Sequence, residues 1–167
     1  LGRAHALALA ARGARVLVND LGGTTAGGGG SPAAAQAVVD QIVAAGGQAL
    51  ANGASVTGPA AVAAMVAQAV DAWGRVDILV NNAGILRDAS FPKSSLQDFR
   101  TVIDVHLLGS VICSQAVWPH MKAAGFTTFP KDTDGFLKLC KGLKEKGTPP
   151  GFALGNATGD GNTWAYW

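Results

Sequence analysis

Asp20 closes a short apolar run, Arg15-Val16-Leu17-Val18-Asn19-Asp20, and stands 18 residues beyond Gly2. A carboxylate at the end of a buried strand can accept both hydroxyls of an adenosine ribose, and it would repel a 2′-phosphate. Taken alone, a loop aspartate capping a turn accounts for the same residue. Leu1-Gly2 opens an alanine- and leucine-rich stretch. A helix that begins without a side chain lets a pyrophosphate approach its free amides and positive dipole end, although any helix can begin with glycine. Ser55-Val56 follows a second short run, where a small polar residue and an apolar one could contact an adenine. An ordinary turn is the favoured reading of that pair. Asn81-Asn82-Ala83-Gly84 follows a third apolar run, Val76-Asp77-Ile78-Leu79-Val80. Consecutive asparagines there can bind backbone across a sheet, while Ala83 and Gly84 leave room for a flat ligand. Turn chemistry explains one asparagine and one glycine more easily than it explains the whole tetrad.

These groups need strands that end together and helices that begin beside them. A helix is expected from Gly2 to Arg12, ended by Gly13, and then strands near 15–19, 48–52 and 76–80. The stretch 21–30 holds six glycines and reads as a mobile loop without a phosphate-binding motif. Ser31-Pro32 starts a second helix that runs to about Ala45 and stops at Gly46-Gly47. After Gly58-Pro59, residues Val62, Met65, Val66, Ala69, Val70 and Trp73 mark one buried helical face, closed by Gly74. A further helix is expected over about 95–122, carrying Leu96, Phe99, Val102, Ile103 and Leu107. Alternation of this kind favours parallel strands with crossover helices on both faces, an open α/β sheet. A chain that opens on Leu1 and runs straight into a helix is expected to lack a preceding strand, leaving an incomplete Rossmann-like sheet.

Composition removes other classes. The 167 residues are 49% hydrophobic and 14% charged, with a net charge of +2, which argues for neither disorder nor nucleic acid nor an acidic membrane surface. No continuous apolar run reaches the roughly 18 to 20 residues that cross a bilayer, and no secretory leader is visible. Cys113 and Cys140 lack metal-ligand spacing and read as buried or free thiols in a reducing, cytoplasmic setting.

The motifs taken together resemble the short-chain dehydrogenase/reductase family over residues 1–124. Leu1-Gly2-Arg3 looks like the end of its glycine-rich motif, and Asn81-Asn82-Ala83-Gly84 like its Asn-Asn-Ala-Gly signature. Val18-Asn19-Asp20-Leu21-Gly22-Gly23 and Asp104-Val105-His106-Leu107-Leu108-Gly109-Ser110 look like the (3R)-hydroxyacyl-CoA dehydrogenase domains of multifunctional β-oxidation enzymes. The resemblance implies NAD as cofactor, with Leu1, Gly2, Asp20, Ser55, Val56, Asn82, Ala83 and Gly84 as its contacts. It implies no metal, and a secondary alcohol such as a hydroxyacyl-CoA as substrate. His106 stands where most of the family carries a catalytic-network asparagine; on its own it reads as a helix-packing histidine rather than an acid or base. A homodimer through the helix at about 100–122 is the implied assembly.

Departures from the family pattern bear on mechanism. The family's proton relay is a Tyr-x-x-x-Lys pair helped by an upstream serine. Here the single tyrosine, Tyr166, is followed by one residue only, and no counterpart of the serine follows Lys122. At the adenine contact the usual aspartate appears as Ala54. The expected product is a dehydrogenase fragment without turnover of its own. A non-catalytic dinucleotide- or solute-binding module, and a recombined chain without selected function, are the alternatives.

Beyond Gly125 the composition shifts to five lysines, no arginine and seven aromatics in 42 residues. This tail, 125–167, resembles sugar-type extracellular solute-binding proteins of ABC importers through Ala124-Gly125-Phe126-Thr127-Thr128-Phe129-Pro130, Gly151-Phe152-Ala153-Leu154-Gly155-Asn156 and Trp164-Ala165-Tyr166-Trp167. One helix over about 133–146 and a short strand at 152–154 are expected there. In the 3-2-1-4 strand order that the family resemblance implies, 15–19 and 76–80 are not neighbours. They are therefore expected to keep unpaired edges, with the tail strand lying outside the space between them.

Overall fold

The computed structural model describes residues 1–23 and 33–123. Three helices and two strands alternate first: α1 (Gly2–Ala10), β1 (Val16–Asn19), α2 (Ala33–Ala44), β2 (Ala49–Asn52) and α3 (Pro59–Trp73). A short 3₁₀ turn, Phe91–Lys93, precedes α4 (Leu96–Ile103), a π-helical turn (Asp104–Leu108) and α5 (Gly109–Ala123). β1 and β2 pair in parallel, with Val16 opposite Ala49 and Asn19 opposite Asn52. Parallel neighbours cannot be joined by a hairpin, so the chain crosses over through α2.

The sheet sorts its side chains by the two-residue period of a strand. Val16 and Val18 face Ala6, Val38 and Ile42 on the α1 and α2 side. Leu17 faces the opposite way, onto Val62, Met65 and Cys113 of α3 and α5. Two small cores thus lie on opposite faces of one strand pair. Val62, Met65 and Val66, three of the residues that mark the apolar stripe of α3 in the sequence, are buried. Gly74 caps α3 with φ +77°, a left-handed conformation that glycine adopts without strain.

The third expected strand departs from the sequence reading. Residues 76–80 form no ladder, and the sheet of the described residues has two strands rather than three. Leu79 nevertheless packs on the same cluster as Leu17. Apolar alternation specifies which face is buried, but ladder hydrogen bonds need an adjacent backbone. β1 does not supply one, since among the described residues it pairs with β2 alone.

The single helix expected over 95–122 is interrupted. The π turn adds a residue per turn at 104–108 and divides α4 from α5. Taken as one helix, Leu96–Met121 is long and apolar enough to cross a membrane by length and composition, which no continuous run in the sequence had suggested. It packs on α3 through Cys113, while Asp98, Arg100 and Asp104 interrupt its surface. The expected helix at 133–146, the strand at 152–154, Ser31-Pro32 and most of the glycine-rich loop lie outside the described residues.

Candidate functional site

The start of α1 lies beside the turn after residue 80, and Asp20 stands immediately past the end of β1. α1 begins at Gly2 against the side chain of Asn82: a β-carbon built on Gly2 would stand 2.8 Å from Asn82 Nδ2. Glycine is required there because an asparagine amide fills the space over the helix end. Leu1 is exposed, and its carbonyl accepts the His5 amide at 3.1 Å, so it belongs to the first helical turn.

Asp20 ends β1 with its amide donated to the Asn52 carbonyl at 3.1 Å, which fixes it beside β2. Its carboxylate is exposed, and Oδ1 accepts the Gly22 amide at 2.7 Å. That bond is the turn-capping one anticipated as the alternative reading. It occupies one oxygen and leaves Oδ2 without a partner among the described residues. Next to it, Asn19 donates Nδ2 to the Ala54 carbonyl at 3.1 Å and ties the ends of both strands together.

Ser55 takes the ordinary-turn reading favoured for this pair, and Val56 packs against the protein. Ser55 Oγ lies 2.8 Å from Thr57 Oγ1 and accepts the Thr57 amide at 3.4 Å, an ordinary turn. Val56 packs into the α3–α5 core, where a β-carbon on Gly109 would meet its Cγ2 at 2.8 Å. Its side chain is therefore committed to the protein interior. Asn81 reaches not backbone across the sheet but the Ser114 hydroxyl of α5, at 3.3 Å. Asn82, Ala83 and Gly84 are exposed in the turn.

Gly84 corrects another expectation. The room above it is taken by the His106 ring, whose Cε1 would stand 2.7 Å from a β-carbon there. The imidazole Nε2 lies 2.9 Å from the Ile85 amide nitrogen and 3.0 Å from the Ile85 carbonyl oxygen. His106 thus clamps the turn to the π segment, as a packing histidine would. The His106 carbonyl accepts the Ser110 hydroxyl at 2.6 Å. Sequence reasoning singled out His106 but not its partner, which comes from a distant part of the chain.

Sequence reasoning also missed the hollow beside this clamp. It has a volume of about 400 Å³ and is lined by Ile85, Arg87, Asp88, Asp98, Phe99 and His106, among others. Arg87 Nε pairs with Asp98 Oδ1 at 3.4 Å, and Asp98 is held by Ser95, the cap of α4. The capping pattern Ser95-x-x-Asp98 was the available signal for this cluster. Cys113 is buried among apolar side chains, and burial raises its thiol pKa, so it offers no nucleophile.

The short chain dehydrogenase family matches residues 1–127. A peroxisomal multifunctional enzyme type 2 from Drosophila melanogaster is 56% identical over 126 residues, which is 75% of this chain and 21% of that enzyme. A 3-oxoacyl-[acyl-carrier-protein] reductase from a Synechocystis species is 42% identical over 117 residues, covering 70% of this chain and 44% of the reductase. The crystal structure of a short chain dehydrogenase from Mycobacterium avium superposes with a TM-score of 0.63 at 48% identity, covering 74% of this chain and 44% of that one. The chain spans less than half the length of each of these relatives. The family match covers the alternating region and ends at residue 127, near the start of the tail. The chain belongs to the short chain dehydrogenase family, with its Rossmann-like fold.

Proposed function

We propose that residues 1–124 are the dinucleotide-binding part of an NAD-dependent dehydrogenase for a hydroxyacyl-CoA or a similar secondary alcohol. The observation that carries the reading is the contact of Gly2, at the start of α1, with Asn82, together with the placement of Asp20 just past the end of β1. The groups present fit a dinucleotide at these points. The first amides of α1 would face a pyrophosphate, and Asp20 Oδ2 is a free acceptor for a ribose hydroxyl. The exposed turn at Asn82 and Ala83 would supply backbone contacts. Ser55 and Val56 fit less well, because one is spent in its turn and the other in the core. When bound, the nicotinamide supplies hydride transfer; the residues named here bind and orient.

As 167 residues alone, this chain is proposed not to turn over, because it holds no Tyr-x-x-x-Lys pair. The free, buried Cys113 supports a reducing setting, and we keep the cytoplasm as the proposed location although several relatives are named as peroxisomal. The exposed apolar side chains Leu107, Leu108, Val111 and Trp118 support a homodimer through the helix at about 100–122. The tail is proposed as a separate unit akin to the sugar-binding proteins it resembles.

Titrating NAD and NADP against the protein tests the cofactor assignment. A unit of like charge about 4 Å from Asp20 at the surface disfavours NADP by on the order of fivefold to tenfold. Tighter NADP binding, or identical binding by Asp20→Ala, would contradict the role given to Asp20. NADH formation from a hydroxyacyl-CoA would contradict the proposed lack of turnover.

A further inference from the structure

One ring nitrogen of His106 lies within hydrogen-bonding distance of both backbone groups of Ile85: the amide at 2.9 Å and the carbonyl at 3.0 Å. An unprotonated imidazole nitrogen accepts and a protonated one donates, so Nε2 serves only one of the two at a time. We infer that His106 is a proton-operated latch on the turn after Gly84. In the neutral ring, Nδ1 carries the proton and Nε2 accepts the Ile85 amide. When the ring takes up a proton, Nε2 donates to the Ile85 carbonyl, and the amide loses its partner.

The surroundings make a change of partner easier than a departure of the ring. Gly84 lies directly against the imidazole, with Cε1, Nε2 and Nδ1 at 2.7, 3.1 and 3.4 Å from the position of a β-carbon, and this leaves no slack on that side. The backbone of His106 is pinned from the other direction by the Ser110 hydroxyl on its carbonyl. Nδ1 bonds to no protein group among the described residues, which leaves it open to exchange its proton with solvent. The charged groups around the ring are few. Arg87 and Asp88 from the turn and Asp98 from α4 line the same hollow, and Asp104 belongs to the π turn itself. Arg87 and Asp98 are paired with each other. The π turn is what brings the ring to this place, and such turns commonly mark positions under functional constraint.

The latch stands on this geometry and not on any bound nucleotide, so it can fail while the cofactor assignment stands, and the reverse. The test is a nitrogen-15 NMR titration of the full 167-residue chain, following the His106 ring nitrogens and the Ile85 amide together. The ring should titrate from an unprotonated to a protonated Nε2. The Ile85 amide should shift with the same midpoint and exchange about fivefold to tenfold faster, beyond the intrinsic pH trend, once the ring is charged. His106→Asn should abolish both pH effects at Ile85. A neutral ring with its proton on Nε2, an Ile85 amide that stays flat through the titration, or one that follows a different midpoint would overturn the inference. Unchanged pH effects in His106→Asn would overturn it as well. If that variant fails to fold, the match or mismatch of midpoints in the unaltered protein decides.

Discussion

The segment Val16–Asn19 and residues 76–80 are alike in composition, and the structure treats them differently. Both bury apolar side chains, and Leu17 and Leu79 share one cluster. Only the first is held in a ladder, between the α1–α2 layer and the α3–α5 layer. Burial is a property that a segment can carry in its own alternation. Pairing belongs to two backbones at once, and 76–80 has no adjacent one among the described residues. Side-chain hydrogen bonds to Ser114 and His106 hold the turn that carries Asn82, whereas a backbone ladder leads directly into Asp20.

The sharpest way to break this comparison is to remove one buried side chain from each half. Ile42 is 1% exposed and joins α2 to both α1 and β1, so Ile42→Ala should cost roughly 2–5 kcal/mol. Leu79 is only half-buried, and Leu79→Ala should cost about 1–2 kcal/mol by the loss of its apolar contacts. Urea unfolding of the two variants measures both. Equal losses would show that residues 76–80 are as firmly held as β1. Hydrogen exchange sharpens the same contrast at the backbone. Amides of the β1–β2 ladder should be protected roughly tenfold to a hundredfold more than those of 76–80. Strong, uniform protection of both would show that 76–80 has found a partner.

An effect smaller than that of Ile42→Ala is expected where the turn meets the π segment. Gly84→Ala places a methyl group against the His106 ring and should destabilise by about 1–3 kcal/mol, recovered in part by His106→Ala in the same chain. A double-mutant cycle reads that coupling, and independent effects would remove the clamp from the account. The smallest effect is chemical. Burial raises the Cys113 thiol pKa above its ordinary value of 9.0, so the folded state favours the neutral thiol. Its contribution to stability is complete below that ordinary value and is lost as the pH rises through the raised one. In a Cys140→Ser background, alkylation of Cys113 should therefore stay slow in the folded protein and become fast on unfolding. The α1–α2 layer contains no cysteine and should show no such alkaline loss.

Much of this architecture was legible before the structure. The stripe of α3, its Gly74 cap and the strands near 16–19 and 49–52 follow from local periods and turn residues. The π turn was not, because apolar positions from Phe99 to Leu107 still read as helical when one residue is added to a turn. The site divides in the same way. Asp20 at a strand end and Gly2 at a helix start are positions along the chain, and the structure keeps both at those positions. Gly84 as the seat of His106, Val56 as a core residue and Asn81 as a partner of Ser114 depend on side chains from other elements. No local pattern announces such pairs.

The central claim is that a dinucleotide lies where α1 begins, β1 ends and the Asn82 turn closes. The most direct measurement is a map of backbone amide shifts across the full chain as NAD is added. The account predicts concentration-dependent shifts centred on Gly2 and Arg3, on Asp20 to Gly22, and on Asn82 and Ala83, reduced by Asp20→Ala. Shifts confined to other surfaces, or none at millimolar NAD in a folded sample, would contradict it.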